Sequence, residues 1–353
     1  MPSNAVIVDD HAHPFPLETT RLPWDALGLL LAPPAASPDA PEPLFVEALR
    51  VRLAGLLGCP TEDVVQARED TAKDWQGYVR ILADDVGLAT TLMDGGSSVL
   101  TPAQLQQYAN LYDRPVHGIV RIEAVADPLI GQGASSDEVA DAVSAALAQG
   151  KASGVVAAKT VLAYRTGLCV DPDADPKDVD RAKGLRDWLM RRLLGWCSDL
   201  AMPLQIHSGF GDSDLRLATA NPVGLEPLLR TPEGRSATVV LIHGSFPWHE
   251  QAAYLAAVHP NVYLEVSLHP VFSPSTTVER LHRMLDLAPV SKLLTGSDGH
   301  VTPELQWFSL RNTLDAWGTL AERLAHWVRP SWMERTRHAV LAGTAQRVYG
   351  LGV

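Results

Sequence analysis

His11 and His13 stand two residues apart in the run Asp10-His11-Ala12-His13. On a strand such residues point to one face, so the pair can hold one metal ion. Other side chains of suitable type end other apolar runs. His207 closes Pro203–His207, His243 closes Thr238–His243, and Asp298 follows Lys292–Ser297, while Lys159 stands late in Val155–Leu162. Imidazoles and a carboxylate are the donors that bind Zn²⁺ and similar ions, and an ion with an open position makes hydroxide from water near neutral pH. Each residue alone has a plainer reading. A histidine at a strand end is commonly a hydrogen-bonded structural group, Lys159 can pair with a nearby carboxylate, and Asp298 in Ser-Asp-Gly can start a turn. Their joint placement argues for a metal site.

Residues so far apart in sequence meet only if a fold brings the ends of their runs together. Eight short apolar runs recur: Ala5–Asp10, Gly87–Asp94, Val116–Glu123, Val155–Leu162, Pro203–His207, Thr238–His243, Val262–Leu268 and Lys292–Ser297. They are mostly continuous rather than alternating, the pattern of strands buried on both faces in a parallel sheet. Helical patterns lie between them. Ser136–Gln149 opens with Ser-x-Asp-Glu and carries Val139, Val143, Ala146 and Leu147 on one side; Asp178–Leu200 spaces Leu185, Trp188, Leu189, Leu193 and Trp196 helically; Thr277–Leu287 is a third. This alternation predicts an α/β fold, a (β/α)₈ TIM barrel whose catalytic groups collect at the C-terminal ends of the strands. Residues 14–85 exceed an ordinary βα connection and read as a helical insertion after strand 1, a cap over the mouth. It holds a Pro/Ala-rich loop (Ala32–Pro43), a helix at Leu44–Leu57 and another around Trp75–Asp85. Pro303–Val353 completes the barrel, and residues 1–353 form one domain.

Composition narrows the partners. With 29 basic and 41 acidic side chains the net charge is −12, which excludes a protein that grips phosphate backbones, so no nucleic-acid partner is expected. An apolar fraction of 46% excludes disorder. No stretch reaches the roughly 18 apolar residues of a membrane span. Cys59, Cys169 and Cys197 form no CxxC, and the N-terminus turns acidic before any long apolar run, so a reducing, cytoplasmic setting without a secretory signal is expected. Neither a Gly-x-Ser-x-Gly elbow nor a Gly-rich nucleotide loop is present.

The segments DDHAHPF, IHSGFGD, LIHG and LLTGSDGH resemble the amidohydrolase superfamily, in particular its amidohydrolase-related branch. Ala163–Leu168 (AYRTGL) and His243–Trp248 (HGSFPW) are similar to amidohydrolase-type domains fused to glutamine synthetase-like domains. The resemblance covers most of residues 5–350, though the family's C-terminal Asn-Ala-x-x-x-Tyr reads here from Thr344 to Tyr349, a difference expected to concern helix packing. It implies one Zn²⁺ held by His11, His13, His207 and Asp298, with His243 polarising the substrate. In a two-ion form, a carboxylated Lys159 would bridge the ions and His207 and His243 would serve the second; Mn²⁺ suits the same donors. Asp298 would take a proton from the attacking water, and the implied reaction is hydrolysis of an amide, ester or lactone in a small molecule. Relatives in this branch decarboxylate aromatic acids, so a lyase is the second reading. A non-catalytic, metal-binding regulatory protein is the third, and the complete ligand set argues against it. Arg165 is a candidate carboxylate clamp, and Tyr164, Asp212 and Trp248 are candidate pocket residues. His300, close to Asp298, is a further candidate, and a homodimer is the fold-level expectation.

Overall fold

All eight apolar runs form strands, the first shifted two residues onward and the other seven trimmed at one or both ends: β1 (Ile7–Ala12), β2 (Leu88–Asp94), β3 (Val116–Arg121), β4 (Ala157–Thr160), β5 (Leu204–His207), β6 (Val239–Ile242), β7 (Val262–Val266) and β8 (Leu293–Thr295). The structure is a computed structural model that describes residues 5–19, 21–22, 24–27, 30, 43–177 and 181–352. The strands are parallel and lie in sequence order around the barrel. β1 and β8 meet through the segment after β8, where the Asp298 N–H donates to His11 O (2.8 Å) and the His13 N–H to Gly299 O (2.7 Å). The seam of the barrel is thus closed by the candidate ligands' own backbone.

Alternation along the strands splits the apolar residues into two cores. Val8, Leu92, Ile119, Val240, Ile242 and Leu294 fill the barrel interior, plugged by Ala342, Ala345 and Tyr349 of the C-terminal segment. The outward residues pack beneath the helices in a much larger cluster.

The helices follow the sequence patterns closely. Ser136–Ala152 starts in a capping box, with Ser135 and Glu138 each satisfying the other's backbone N–H. Leu44–Leu57 and Thr277–Leu287 occupy the predicted spans, and the helix at Trp75 runs to Val86, stopped by left-handed Gly87. The helix expected from Asp178 is described from Arg181 to Asp199, its predicted first residues lying outside the described set. Among the described residues no helix is long and apolar enough to cross a membrane.

Only part of the insertion expected as a cap lies among the described residues. Its helices lie on the flank of the barrel, against Pro303–Leu324. Arg52 pairs with Asp315, Arg68 with Glu304, and Trp307 Nε1 donates to Asp85. Buried Trp75, Tyr78, Val79, Leu82 and Val86 form the apolar face that holds the last helix there. Phe45 reaches the rim, edge-on to Phe272, but no described residue of 14–85 lines the central cavity. Of the Pro/Ala-rich loop only Pro43 is among the described residues.

Candidate metal centre

Regular alternation would not aim the ligands correctly. In β1, Val8 faces the interior core and the Asp10 carboxylate meets Tyr349 there, so His11 should point outward. Between Asp9 and Ala12, however, β1 spans three residues while β2 spans the two from Thr91 to Met93. This bulge resets the alternation and turns His11 inward, with His13 following two residues on. His243 and Asp298 are redirected differently. Their φ angles are +68° and +53°, and Leu268, two residues past β7, has +57°. A left-handed backbone costs an L-residue roughly 1–2 kcal/mol. Three such residues around one cavity are strain that the surrounding packing must hold.

The ligand atoms converge. His11, His243 and Asp298 offer atoms that all lie within 4.8 Å of one another, as do those of His11, His13 and Asp94. Asp298 Oδ1 lies 3.2 Å from His11 Nε2 and 3.3 Å from His13 Nε2. The His207 ring stands 4.4 Å from that of His243. Lys159 Nζ donates to His11 Nε2 at 3.0 Å, a bond that an ion on that nitrogen would replace.

Hydrogen bonds behind the rings fix their tautomers. Gln205 Nε2 donates to Asp10 O (2.7 Å) and Tyr349 Oη (2.9 Å), which leaves Gln205 Oε1 to accept from His11 Nδ1 (2.8 Å). His13 Nδ1 donates to Asp94 O at 2.9 Å. Ser267 Oγ donates to Glu265 Oε2, so it accepts from His243 Nδ1, both at 2.8 Å. Each of these imidazoles therefore presents the lone pair of Nε2 to the centre, the arrangement a metal-binding histidine requires. For His243 this tautomer suits ligation rather than donation to a substrate oxygen.

Electrostatics agree. Burial, reinforced by Lys159, lowers the pKa of His11 to about 4, and burial holds His207 and His243 well below the usual imidazole range. All three are neutral at physiological pH, as ligation demands. Burial would raise Asp298, but the surrounding histidines overcome it and hold this carboxyl well below its usual range. Burial brings Lys159 down to about 8 against the pull of Asp94. Buried Asp298 Oδ1 and His207 Nε2 have no hydrogen-bond partner among the described residues. Neutral imidazoles with inward lone pairs beside an ionised carboxylate fit a divalent cation.

Above the centre lies a cavity of about 330 Å³. His13, Lys159, His207, His243 and Asp298 line it, with Tyr164, Arg165, Asp212 and His300. Trp248 does not; it flanks the helix His249–Val258 and packs partly buried against the outer core. Two lining or ligand-side residues escaped the sequence reading. Arg121, at the end of β3, forks onto Asp94 at the end of β2, with Nε at 2.9 Å and Nη2 at 2.6 Å from Oδ2. Their signal was the same strand-end position that marked the histidines.

Close approach at Gly211 shapes the lip. A Cβ there would lie 1.9 Å from Tyr164 Oη and 3.0 Å from His207 Cε1, while Tyr164 Oη accepts from the Asp212 N–H at 2.9 Å. Gly211→Ala should destabilise by about 1–3 kcal/mol, the ordinary cost of overpacking. Because the worst clash is with the hydroxyl, the cost should shrink in a Tyr164→Phe background, as urea denaturation of the single and double variants would read. An equal cost in both backgrounds would show that Tyr164 does not set this approach.

The sequence profile of the amidohydrolase family matches residues 8–351. Protein fluG of Emericella nidulans is 29% identical over 378 aligned residues, which cover 88% of this chain and 41% of that protein, so the chain spans less than half of this relative. A Lactobacillus casei protein described as a metal-dependent hydrolase superposes with a TM-score of 0.87 at 23% identity, covering 98% of this chain and 96% of that one. A uronate isomerase of Bacillus halodurans gives 0.67 at 16% identity, covering 99% and 94%. At these identities the superpositions speak for the barrel alone. The profile match over nearly the whole length, on a barrel whose strand ends gather His11, His13, His243 and Asp298, shows that the chain belongs to the amidohydrolase family.

Proposed function

We propose that the protein is a metal-dependent hydrolase that cleaves a C–N, ester or lactone bond of a small molecule, with Zn²⁺ as the expected ion. The observation that carries this reading is Asp298, a buried, ionised carboxylate whose Oδ1 lies beside the Nε2 atoms of His11 and His13 without a hydrogen bond of its own. A divalent ion held by His11, His13, His207 and Asp298 would supply a water whose pKa falls from about 15.7 to about 7. Asp298 is placed to accept that water's proton and return it to the departing nitrogen or oxygen. His243, held through Ser267 and Glu265, would steady the same centre by ligation. Arg165 is gripped through Nε by Asp127 at 2.8 Å, which aims its terminal nitrogens for a substrate carboxylate. Lys159 remains a positioning cation in the one-ion arrangement and becomes a ligand only as its carbamate.

Decarboxylation is the second reading, favoured by one observation: Arg121 and Arg165 line the same cavity and can hold a carboxylate. Metal analysis of protein purified without chelator should find about one equivalent of a divalent ion, or two if Lys159 is carboxylated. A screen of amides, lactones and aromatic acids should then release an acid product without CO₂. Release of CO₂ instead would establish the lyase reading, and absence of metal would overturn both.

A further inference from the structure

Charge is shared unevenly around the cavity. On the side of β3 and β4, Arg121 is paired with Asp94, and Lys159 Nζ lies 3.8 Å from the same carboxylate. Beyond them, Arg165 Nε and Arg186 Nη2 each lie 2.8 Å from Asp127. Counting buried Glu123, which acts on Arg121 and Lys159, four cations face three carboxylates, so this wall keeps a surplus of one positive charge, and Arg121 and Arg165 face the cavity. The segment after β5 carries the opposite surplus. Asp212 and Asp214 line the cavity, and neither forms an ion pair with a described lysine or arginine.

The acidic lip is anchored in place. The Asp212 N–H is held by Tyr164 Oη, the Phe210 N–H donates to Phe246 O at 2.7 Å, and the Gly209 N–H to Ala220 O at 2.9 Å. Burial raises the pKa of Asp212, and Asp298 and Asp214 add to the rise against the pull of His300. No described lysine or arginine balances these carboxylates, and a ligand can supply a cation.

We infer that the cavity takes a small zwitterion, with its carboxylate on the wall of Arg165 and Arg121 and its ammonium on the lip of Asp212 and Asp214. The inference deepens the hydrolytic reading, on which it rests for the bond that is cut but not for binding. A dianion would set one carboxylate against Asp212 and Asp214, and a dication would set one ammonium against Arg165; both leave like charges in contact. The volume of about 330 Å³ is at the small end for ligand cavities and suits a molecule of amino-acid size.

Isothermal titration with δ-aminovalerate, glutarate and cadaverine tests this, because the three share a chain length and differ in terminal charge. The protein is used as purified and again after chelation, so that bonding of a carboxylate to the ion is separated from the wall. In both forms δ-aminovalerate should bind about tenfold or more tightly than either competitor. The double change Asp212→Asn/Asp214→Asn should erase the preference over glutarate, and Arg165→Met the preference over cadaverine. Asp212 and Asp214 are exposed and Arg165 lies at the rim, so these variants should melt like the parent. The inference is overturned if glutarate or cadaverine binds as well as δ-aminovalerate, if none binds, or if the variants leave the preference intact. Should the preference hold while the amide and lactone screen finds no hydrolysis, the hydrolytic reading fails and the zwitterion site stands. Turnover of an uncharged substrate without the preference gives the reverse result.

Discussion

Asp298→Asn should lower turnover by about 10³-fold, within the range that loss of a positioned acid–base group usually costs, and leave the chain folded. The side chain is isosteric, and its Oδ1 makes no hydrogen bond that the amide would break. What the change removes is the charge. The native carboxylate stays ionised because the histidines around it outweigh burial, and only an ionised group can both hold a cation and accept a proton. Measuring metal content beside activity divides the loss. Retained metal with lost turnover assigns the defect to proton transfer; lost metal assigns it to ligation, and full activity would remove Asp298 from the chemistry.

The largest stability loss should come from Arg68→Met. Arg68 Nε donates to Glu304 Oε1 at 2.7 Å, both side chains are buried, and Tyr78 Oη donates to the same oxygen at 2.8 Å. The guanidinium also lies over Trp75 and Tyr78, 5.4 Å from each ring. Removing one partner of a buried pair strands the other charge, at a cost of about 3–5 kcal/mol. Against a typical stability of about 5–15 kcal/mol this is a large fraction. Urea denaturation should show it, and Arg68→Met/Glu304→Gln should recover most of it, because no stranded carboxylate remains. If the double variant is no more stable than the single, the loss comes from packing on Trp75 and Tyr78 instead.

The strands were legible because burial on both faces writes continuous apolar runs, and the histidines because few residue types end such runs with a metal donor. Their aiming was not legible. A bulge in β1 and the left-handed angles of His243 and Asp298 leave no apolar signature, so the expectation that alternation alone would orient His11 and His13 describes the result and not its cause. Arg121 and Asp94 were overlooked because a single charge at a strand end looks like any rim ion pair until the fold places the two side by side. The insertion helices were readable as helices, but a helical pattern says only that a face is buried. That Tyr78 and Arg68 bury theirs against Pro303–Leu324 depends on Glu304, more than 200 residues away. The C-terminal motif also reaches further than helix packing, since Tyr349 touches the amide that holds His11.

That last contact bears on how far the site depends on distant parts of the chain. Gln205, which sets the proton of His11, is itself held by Tyr349, more than 300 residues beyond His11 in the chain. Until the segment of Tyr349 docks, the Gln205 amide lacks one of its two acceptors, and the orientation that fixes His11 is incomplete.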